Sequence, residues 1–572
     1  MRPSTLFSIL LLTASGWLLD GAPLGARDTP EPASGGGEEF FVDRLDVNVV
    51  NVEVYVTDKD GNRVTGLTRD DFEIFEDDRP MKITNFYAVA DSDYSGVEQP
   101  RVIQPEVRDQ AAPPKPRRAE IPESQQLHLI VYIDNLHIRP FNRNRVLRAV
   151  RNFLRTKVDD GTRVMLVTFE RSLHVREVFT EDVRQISDAT FELETLSAFS
   201  VQKEQERDNV LKRILRSDTV GEAESHADFY AKATFNDVEV SLRGLREMVG
   251  TLAGLPGRKA LLYVSDGLEM IPGQDLFQLV EQEYRKESYQ TSFGLQANRY
   301  SARRLYQEAI AHANANRVTF YTLEAAGLRS HSSLSADRAG GTSQIEIDFT
   351  YQMNRQEPLL MLADDTGGQS AINTNNIAGA LDRMADDFGT YYSLGYVPSH
   401  GGDGRYHRIK VQVKRKGLKL RHRDGYRDKS VETRLSEGTL AALLYSVESN
   451  TISAEMVLER SVSGERGSIY LPIEVRIPIG ALTLLPRAGS HHGQVRVALA
   501  AMDDDGELSP VEQVPVPIQI PESEIAVARG KYYVYSANLE IRPGRHKVAV
   551  GLRDEISGET SFLTHATYVE GG

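Results

Sequence analysis

The chain of 572 residues contains no cysteine. That excludes disulfides, thiolate metal sites, cysteine nucleophiles and a lipidated N-terminal cysteine. Positive charge is in deficit, with 67 Lys and Arg against 82 Asp and Glu. The resulting net charge of -15 argues against non-specific nucleic-acid binding and is compatible with cation binding. Catalytic patterns are missing too: there is no HExxH, no GxxxxGK[ST] phosphate loop and no GxSxG elbow. No two histidines stand four residues apart. Past residue 19, no stretch is long and apolar enough to span a membrane.

What is present begins with the layout of a secretory signal over 1–26. Arg2 supplies the positive end, Leu6–Leu19 the apolar run, and Gly21–Ala26 the small residues. An uncleaved anchor is the alternative. Residues 27–39 read as a Pro/Gly-rich linker. Residues 40–93 read as a small β module, with alternating Val50, Val52, Val54 and Val56 and a hairpin signal at Asp60-Gly61-Asn62. Thr68 with Asp70 and Asp71 caps a helical turn there. Residues 94–125 form a second linker, and 126–399 carry an α/β pattern.

Within that pattern Leu127–Asp134, Arg163–Phe169, Ala260–Asp266 and Val318–Leu323 are short apolar runs separated by helical segments. Such runs predict buried strands of a mostly parallel sheet with helices on both faces. Ligands of open α/β sheets bind outside the carboxyl ends of the strands, where Asp134 and Asp266 fall. A helical insert is expected at about 196–235, a helix at Val238–Val249, and a long polar helical block over Leu276–Asn316. Residues 400–428 read as strands, and 429–572 as an all-β sandwich domain. Either the 400–428 strands complete the 40–93 module, with the α/β domain inserted between them, or each piece packs on the α/β domain separately.

Leu173–Phe179 reads as a short edge strand, and with it counted, acids at the ends of the first and fourth strands resemble a von Willebrand factor A domain. The phrases Val56–Phe75, Gly257–Gly267, Leu362–Asn376, Thr390–Pro398 and His407–Tyr426 make the likeness more specific. Over roughly 40–430 the chain resembles the VWFA-related family of exported bacterial proteins best known from Acidobacteria. That resemblance implies a metal-ion-dependent adhesion site for Mg²⁺ or Mn²⁺, with the pattern Asp-x-Ser-x-Ser, a later Thr and a later Asp. Asp134, Thr234 and Asp266 match the first Asp, the Thr and the last Asp. Leu136 and Ile138 stand where the two serines belong, so the site is degenerate, with Asn135 and His137 as auxiliary candidates. The competing reading has Asp134 and Asp266 cap helices or pair with Arg139 or Arg143.

Other groups receive bland readings. Asp364-Asp365 and Asp386-Asp387 read as solvated helix ends, Tyr391, Tyr392 and Tyr396 as packing residues, and His491-His492 as part of a turn. The basic run Lys414–Arg423 reads as a solvated edge strand protected by its charges; the alternative is a basic strand face that pairs with the acidic α/β domain or an anionic surface polymer. The expected function is an exported, non-enzymatic protein–protein interaction or adhesion module, in the periplasm, at the cell surface or outside the cell. It has a protein partner, no nucleic acid, and no membrane span once the signal is removed. The alternative is a metal-independent scaffold of the bacterial envelope; an envelope-polymer hydrolase is the least favoured reading.

Overall fold

A computed structural model describes residues 9–10, 49–89, 126–158, 162–197, 200–284, 293–328, 342–447, 449–463 and 469–570. The expected signal segment apart from Ile9–Leu10, both linkers and most of the Ser/Gly-rich stretch 330–345 lie outside the described residues. The chain divides into two compact units, one built from 48–252 and 256–428, the other mainly from 429–572.

The first unit opens with β1 (Val50–Thr57), β2 (Phe72–Glu76) and β3 (Ile83–Val89). Before β2, Thr68 and Asp71 form a reciprocal capping box around one 3₁₀ turn. The α/β part follows. It comprises β4 (Leu127–Asp134), α1 (Pro140–Lys157), β5 (Arg163–Phe169), β6 (Leu173–Thr180), α2 (Val183–Glu194), α3 (Ser200–Ile214) and α4 (Val220–Thr251). Then come β7 (Arg258–Ser265), α5 (Gln274–Glu283), α6 (Arg303–Ala315), β8 (Val318–Glu324), α7 (Thr342–Asp364), β9 (Ser370–Ala371) and α8 (Ile377–Gly389).

The sheet runs β9-β8-β7-β4-β5-β6, parallel throughout except for the antiparallel edge strand β6. Both faces of β4 are covered. Leu129, Val131 and Ile133 share a core with Val146, Leu147 and Val150 of α1. On the other face Tyr132 lies against Tyr263 and Phe169, with ring centroids 5.6 and 6.5 Å away. Helix α4 crosses Phe169 at Gly244, where an added Cβ would stand 2.3 Å from the ring. The architecture is therefore mixed α/β, mostly parallel, with helices on both faces.

The chain then returns through β10 (Tyr391–Tyr396), β11 (Tyr406–Val413), β12 (Lys419–Arg421) and β13 (Gly425–Arg427) to the strands it began with. One sheet is β12-β1-β10-β3, with Leu394 opposite Val52 and Leu420 opposite Val56. The other is β13-β11-β2 plus Arg79–Met81, with Val411 opposite Ile74. Val52, Val54, Phe72, Ile74, Tyr392, Leu394, Ile409 and Val411 share one core. Residues 50–89 and 391–427 thus pair as one β module, and the α/β part lies between them in sequence.

Three local expectations are corrected. Asp387 is no solvated helix end: it is fully buried and receives Arg63, the fork of Arg421 at 2.8 and 3.0 Å, and Gln369 at 2.8 Å. For the same reason β12 is an edge strand whose Arg421 turns inward, and Arg423 is buried as well. The block 276–316 is broken into α5, the short helix Phe293–Asn298 and α6. Tyr391, Tyr392 and Tyr396 are buried packing residues.

The second unit carries α9 (Val431–Tyr445), β14 (Ile469–Pro478), β15 (Ser490–Asp503), β16 (Glu512–Pro521), β17 (Tyr532–Ile541), β18 (Gly544–Asp554) and β19 (Thr560–Val569). β14 alternates strictly, with Ile469, Leu471, Ile473, Val475 and Ile477 inward, and pairs with β17. β19-β18-β15-β16 form the facing sheet, and both contribute to one core. His491 and His492 sit within β15 rather than in a turn. Ile9–Leu10, inside the expected signal segment, forms a two-residue strand on the edge of β17.

Candidate functional site

The first and fourth strands of the α/β part, β4 and β7, are neighbours in the sheet. Their adjacency brings the loops 134–141 and 266–273 together at the carboxyl edge. The insert α3–α4 borders the same edge. Between these elements lies a cleft whose lining includes His137, Lys203, Thr234, Asp237, Glu269 and Arg355.

Asp134 is buried and already satisfied. It accepts from Tyr263 Oη at 2.6 Å, Ser265 Oγ at 3.3 Å, the His137 amide at 3.2 Å and His137 Nδ1 at 3.0 Å. The other ring nitrogen, Nε2, lies 3.0 Å from Nζ of Lys203 on α3, and Lys203 in turn pairs with Asp237 of α4 at 2.8 Å. An ammonium can only donate, so Nε2 accepts and Nδ1 carries the proton to Asp134. Burial alone would raise the Asp134 carboxyl; the His137 contact and the hydrogen bonds from His137 and Tyr263 outweigh it and hold it below its ordinary value. Burial, followed by the Lys203 charge, pushes His137 down.

Asp266 does different work. Its carboxylate accepts the Arg139 amide at 2.9 Å and Asn142 Nδ2 at 3.0 Å, which places it at the N-terminus of α1, where a negative charge is favoured. Next to it Gly267 has φ of 99°, and a Cβ there would stand 2.6 Å from the Arg355 carbonyl oxygen. The Arg355 guanidinium donates to the Gly267 carbonyl at 3.0 and 3.2 Å.

The sequence candidates are thus only partly brought together. Asn135 turns away: its side chain takes the buried Arg143 at 2.6 Å and donates to the Ser197 carbonyl at 3.0 Å. Thr234 does not precede a helix; it lies inside the 32-residue α4, because small buried Ala223, Ala227 and Ala231 extend the apolar face upstream of Val238. Leu136 and Ile138 are fully buried apolar groups in place of hydroxyls. Lys203 was not anticipated, since nothing in the local sequence marks one lysine of a polar helix.

These residues do not fit a Mg²⁺ or Mn²⁺ adhesion site. Such an ion needs several near-octahedral oxygens. Here the oxygens of Asp134 are taken by protein donors, Asp266 serves α1, and an ammonium stands beside His137. A second acid is notable in the cleft. Glu269, on the 266–273 loop, accepts Tyr230 Oη at 3.1 Å and the Gly273 amide at 2.9 Å. Burial, then the charge of Asp275, pushes its carboxyl up to about 7. Asp275 itself is buried against Arg207 of α3, at 2.5 and 2.9 Å.

No protein-family model and no curated protein matches the chain. Among solved structures it is similar to an aerotolerance-related membrane protein from Bacteroides fragilis, at 10% identity and a TM-score of 0.21, covering 46% of this chain and 98% of that one. It is also similar to the vWF domain of the type V pili tip protein Mfa5 from Porphyromonas gingivalis, at 13% identity and 0.22, covering 46% and 94%. A von Willebrand factor type A protein from Catenulispora acidiphila aligns at 9% identity and 0.22, covering 78% and 66%. A likeness this weak leaves the fold to rest on the sheet order itself.

Proposed function

We propose that the chain is an exported, non-enzymatic protein-interaction module that binds its partner through the strand-end loops of the α/β part without a divalent cation. The observation that carries this reading is the Lys203–His137–Asp134–Tyr263 chain, which occupies the acid that a cation would need. The first turns of α1 and α3 beside it present apolar surface. Phe141, directly after Pro140, is 74% exposed, and Val201 at the start of α3 is 45% exposed. Exposed aromatic side chains on a fixed frame are what a protein interface uses as anchors.

Export rests on the Arg2, Leu6–Leu19 and Gly21–Ala26 pattern. Among the described residues no helix is long and apolar enough to cross a membrane. In this reading the 126–399 domain is an insertion in the β module formed by 40–93 and 400–428, and 429–572 is a separate sandwich domain.

The test is co-purification of a bound protein with the tagged chain, with and without EDTA, beside Phe141→Asp/Val201→Asp. Retention in EDTA with loss in the double variant supports the proposal. Loss in EDTA restored by Mg²⁺ returns the site to the cation-dependent class. Retention in the double variant moves the contact elsewhere, as the envelope-scaffold alternative requires.

A further inference from the structure

The second unit has a strand edge that the chain covers only at one end. β17 (Tyr532–Ile541) pairs along all ten of its residues with β14. On its other side it pairs with Ile9–Leu10, with Ile9 opposite Leu539 and Leu10 opposite Asn538. Among the described residues no other strand pairs on that side.

The ladder decides which backbone groups face outward. In an antiparallel pair the polar groups of successive residues turn alternately toward the partner strand and away from it. On the far side of β14, Glu459 donates its amide to the Pro472 carbonyl at 3.0 Å, so the backbone of Pro472 faces away from β17. Asn538 stands opposite Pro472 and turns its own polar groups to the outer edge, where Leu10 meets it. By the same alternation Val534 and Ser536 present their N–H and C=O groups outward. Tyr535, Ala537 and Leu539 spend theirs on the ladder to β14, and their side chains are buried in the core of the unit.

Open edges invite pairing, and folded proteins blunt them with proline, lysine or very short strands. Two other edges of the sandwich follow that rule. β16 carries Pro515, Pro517 and Pro521, which have no N–H to donate. The far side of β14 is closed by the short strands Glu455–Leu458 and Val462–Ser463. β17, with the sequence YYVYSANLEI, has no proline, lysine or arginine and keeps one register with β14 throughout. Tyr532, at its start, is 48% exposed.

The residues seated on this edge come from the apolar run Leu6–Leu19. Removal of the expected signal, 1–26, takes that strand away and opens the edge along its length. Residues directly opposite each other in an antiparallel pair share a face. A strand added in the same register therefore puts its residues opposite Tyr535, Ala537 and Leu539 on the core side, where apolar groups are favoured. Residues opposite Val534, Ser536 and Asn538 fall on the outer side.

We propose that the outer edge of β17, once 1–26 is removed, accepts an extended, proline-free segment of a partner protein with apolar residues at alternate positions, added antiparallel as a further strand. Backbone hydrogen bonds supply the affinity, and the alternation supplies the selection. This edge shares nothing with the cleft or the strand-end loops; only the removal of 1–26 is taken from the function proposed above.

The experiment uses the chain 27–572 and, as probe, a fluorescent peptide of residues 5–16 of this sequence with two lysines added for solubility. In the register of Ile9–Leu10 that peptide covers Val534 and Ser536. Saturable binding by fluorescence anisotropy is expected, with slowed amide hydrogen exchange at Val534 and Ser536. Leu10→Pro in the peptide removes the donor opposite Asn538 while keeping its charge and apolar character, and should weaken binding by at least about ten-fold. Ser536→Pro in the protein, which deletes an outward donor and spares the ladder to β14, should do the same. The full chain holds its own segment on the edge at high effective concentration, so it should bind the peptide at least about ten-fold more weakly than 27–572, a readout that needs no variant to fold. The proposal is overturned by absence of saturable uptake, by equal binding of the Leu10→Pro peptide, by equal binding to the full chain, or by protection that appears away from β17. A concentration-dependent dimer of 27–572 that excludes the peptide would give the edge to a second copy and overturn it as well. Because 27–572 is made directly, none of these outcomes depends on export or on the strand-end loops.

Discussion

Replacing Asp134 by asparagine separates a structural acid from a metal ligand. The carboxylate is 1% exposed and accepts from Tyr263, Ser265 and both donors of His137. Hydrogen bonds to a buried charge contribute about 1.5–3 kcal/mol each, and a buried donor left unpaired costs about 1–3 kcal/mol. Asparagine keeps one oxygen, loses the charge and turns an NH₂ against one of these donors. The expected loss is about 3–4 kcal/mol, and it should be equal in EDTA and in Mg²⁺. The assay is urea denaturation followed by circular dichroism, comparing the midpoint of the transition, because a chain with two units need not unfold in a single step. The sign with pH is fixed. The folded carboxyl lies below its ordinary value of 3.8, so its contribution is full above that pH and is lost as pH falls through the folded value. The gap between wild type and Asp134→Asn should therefore be constant near neutrality and close in acid. A loss under about 1 kcal/mol, or one seen only with Mg²⁺ present, would refute the reasoning.

Leu136→Ser and Ile138→Ser introduce hydroxyls where the structure has fully buried apolar groups. Each should cost about 2–5 kcal/mol in a thermal or urea melt, and an unchanged midpoint would show that the loop accommodates hydroxyls. Glu269 titrates at about 7 in the fold against 4.5 for a free glutamate. A raised acid binds its proton more tightly when folded, so stability falls as pH rises from about 4.5 to 7. Glu269→Gln should lack that loss; parallel pH profiles for the two proteins would contradict the burial argument. His128 is pushed down to about 4 by burial, then by the charges of Lys259 and Arg163, and neither ring nitrogen has a hydrogen-bond partner. Its lowered value makes stability rise between about pH 4 and 6.5, so His128→Leu should remove that slope and leave neutral-pH stability equal or higher. A large loss at pH 7 would mean the ring has a partner after all.

The strands of the α/β part were legible because each is an uninterrupted apolar, β-branched run of seven or eight residues. Their ends located Asp134 and Asp266 beside each other, since the strands that carry them pair in register. The sequence misled wherever a side chain is defined by a distant partner. Asp387 looked like half of a solvated pair, yet its partners Arg421 and Arg63 lie 34 and 324 residues away. His400 and His407 carry no signal of their partners in the local sequence; two of their four carboxylates, Glu76 and Asp77, come from the other half of a split module. Thr234 was misplaced because the alanines that extend α4 upstream carry too little apolar volume to announce a buried face.

The insert and the apolar Leu136 and Ile138 act on Asp134 together. Suppose Leu136 and Ile138 stood alone, without α3 over the site. His137 Nε2 would then lose its donor, and the imidazole could present either tautomer to Asp134. With Lys203 in place the tautomer is fixed, and Asp134 keeps a proton donor at every step of the chain. The lysine must be held firmly for this to work, and α3 is anchored on both sides of it. Ser200 donates to the Ile138 carbonyl at 2.7 Å, and Arg207 forks onto Asp275 at 2.5 and 2.9 Å. An arm pinned three residues before Lys203 and four after it delivers an ammonium at a fixed position, with none of the concentration dependence of a bound ion. In the proposed function that difference is the decisive one: occupancy of the site follows from the fold alone, and partner binding should be insensitive to the divalent ions of whatever compartment the protein enters.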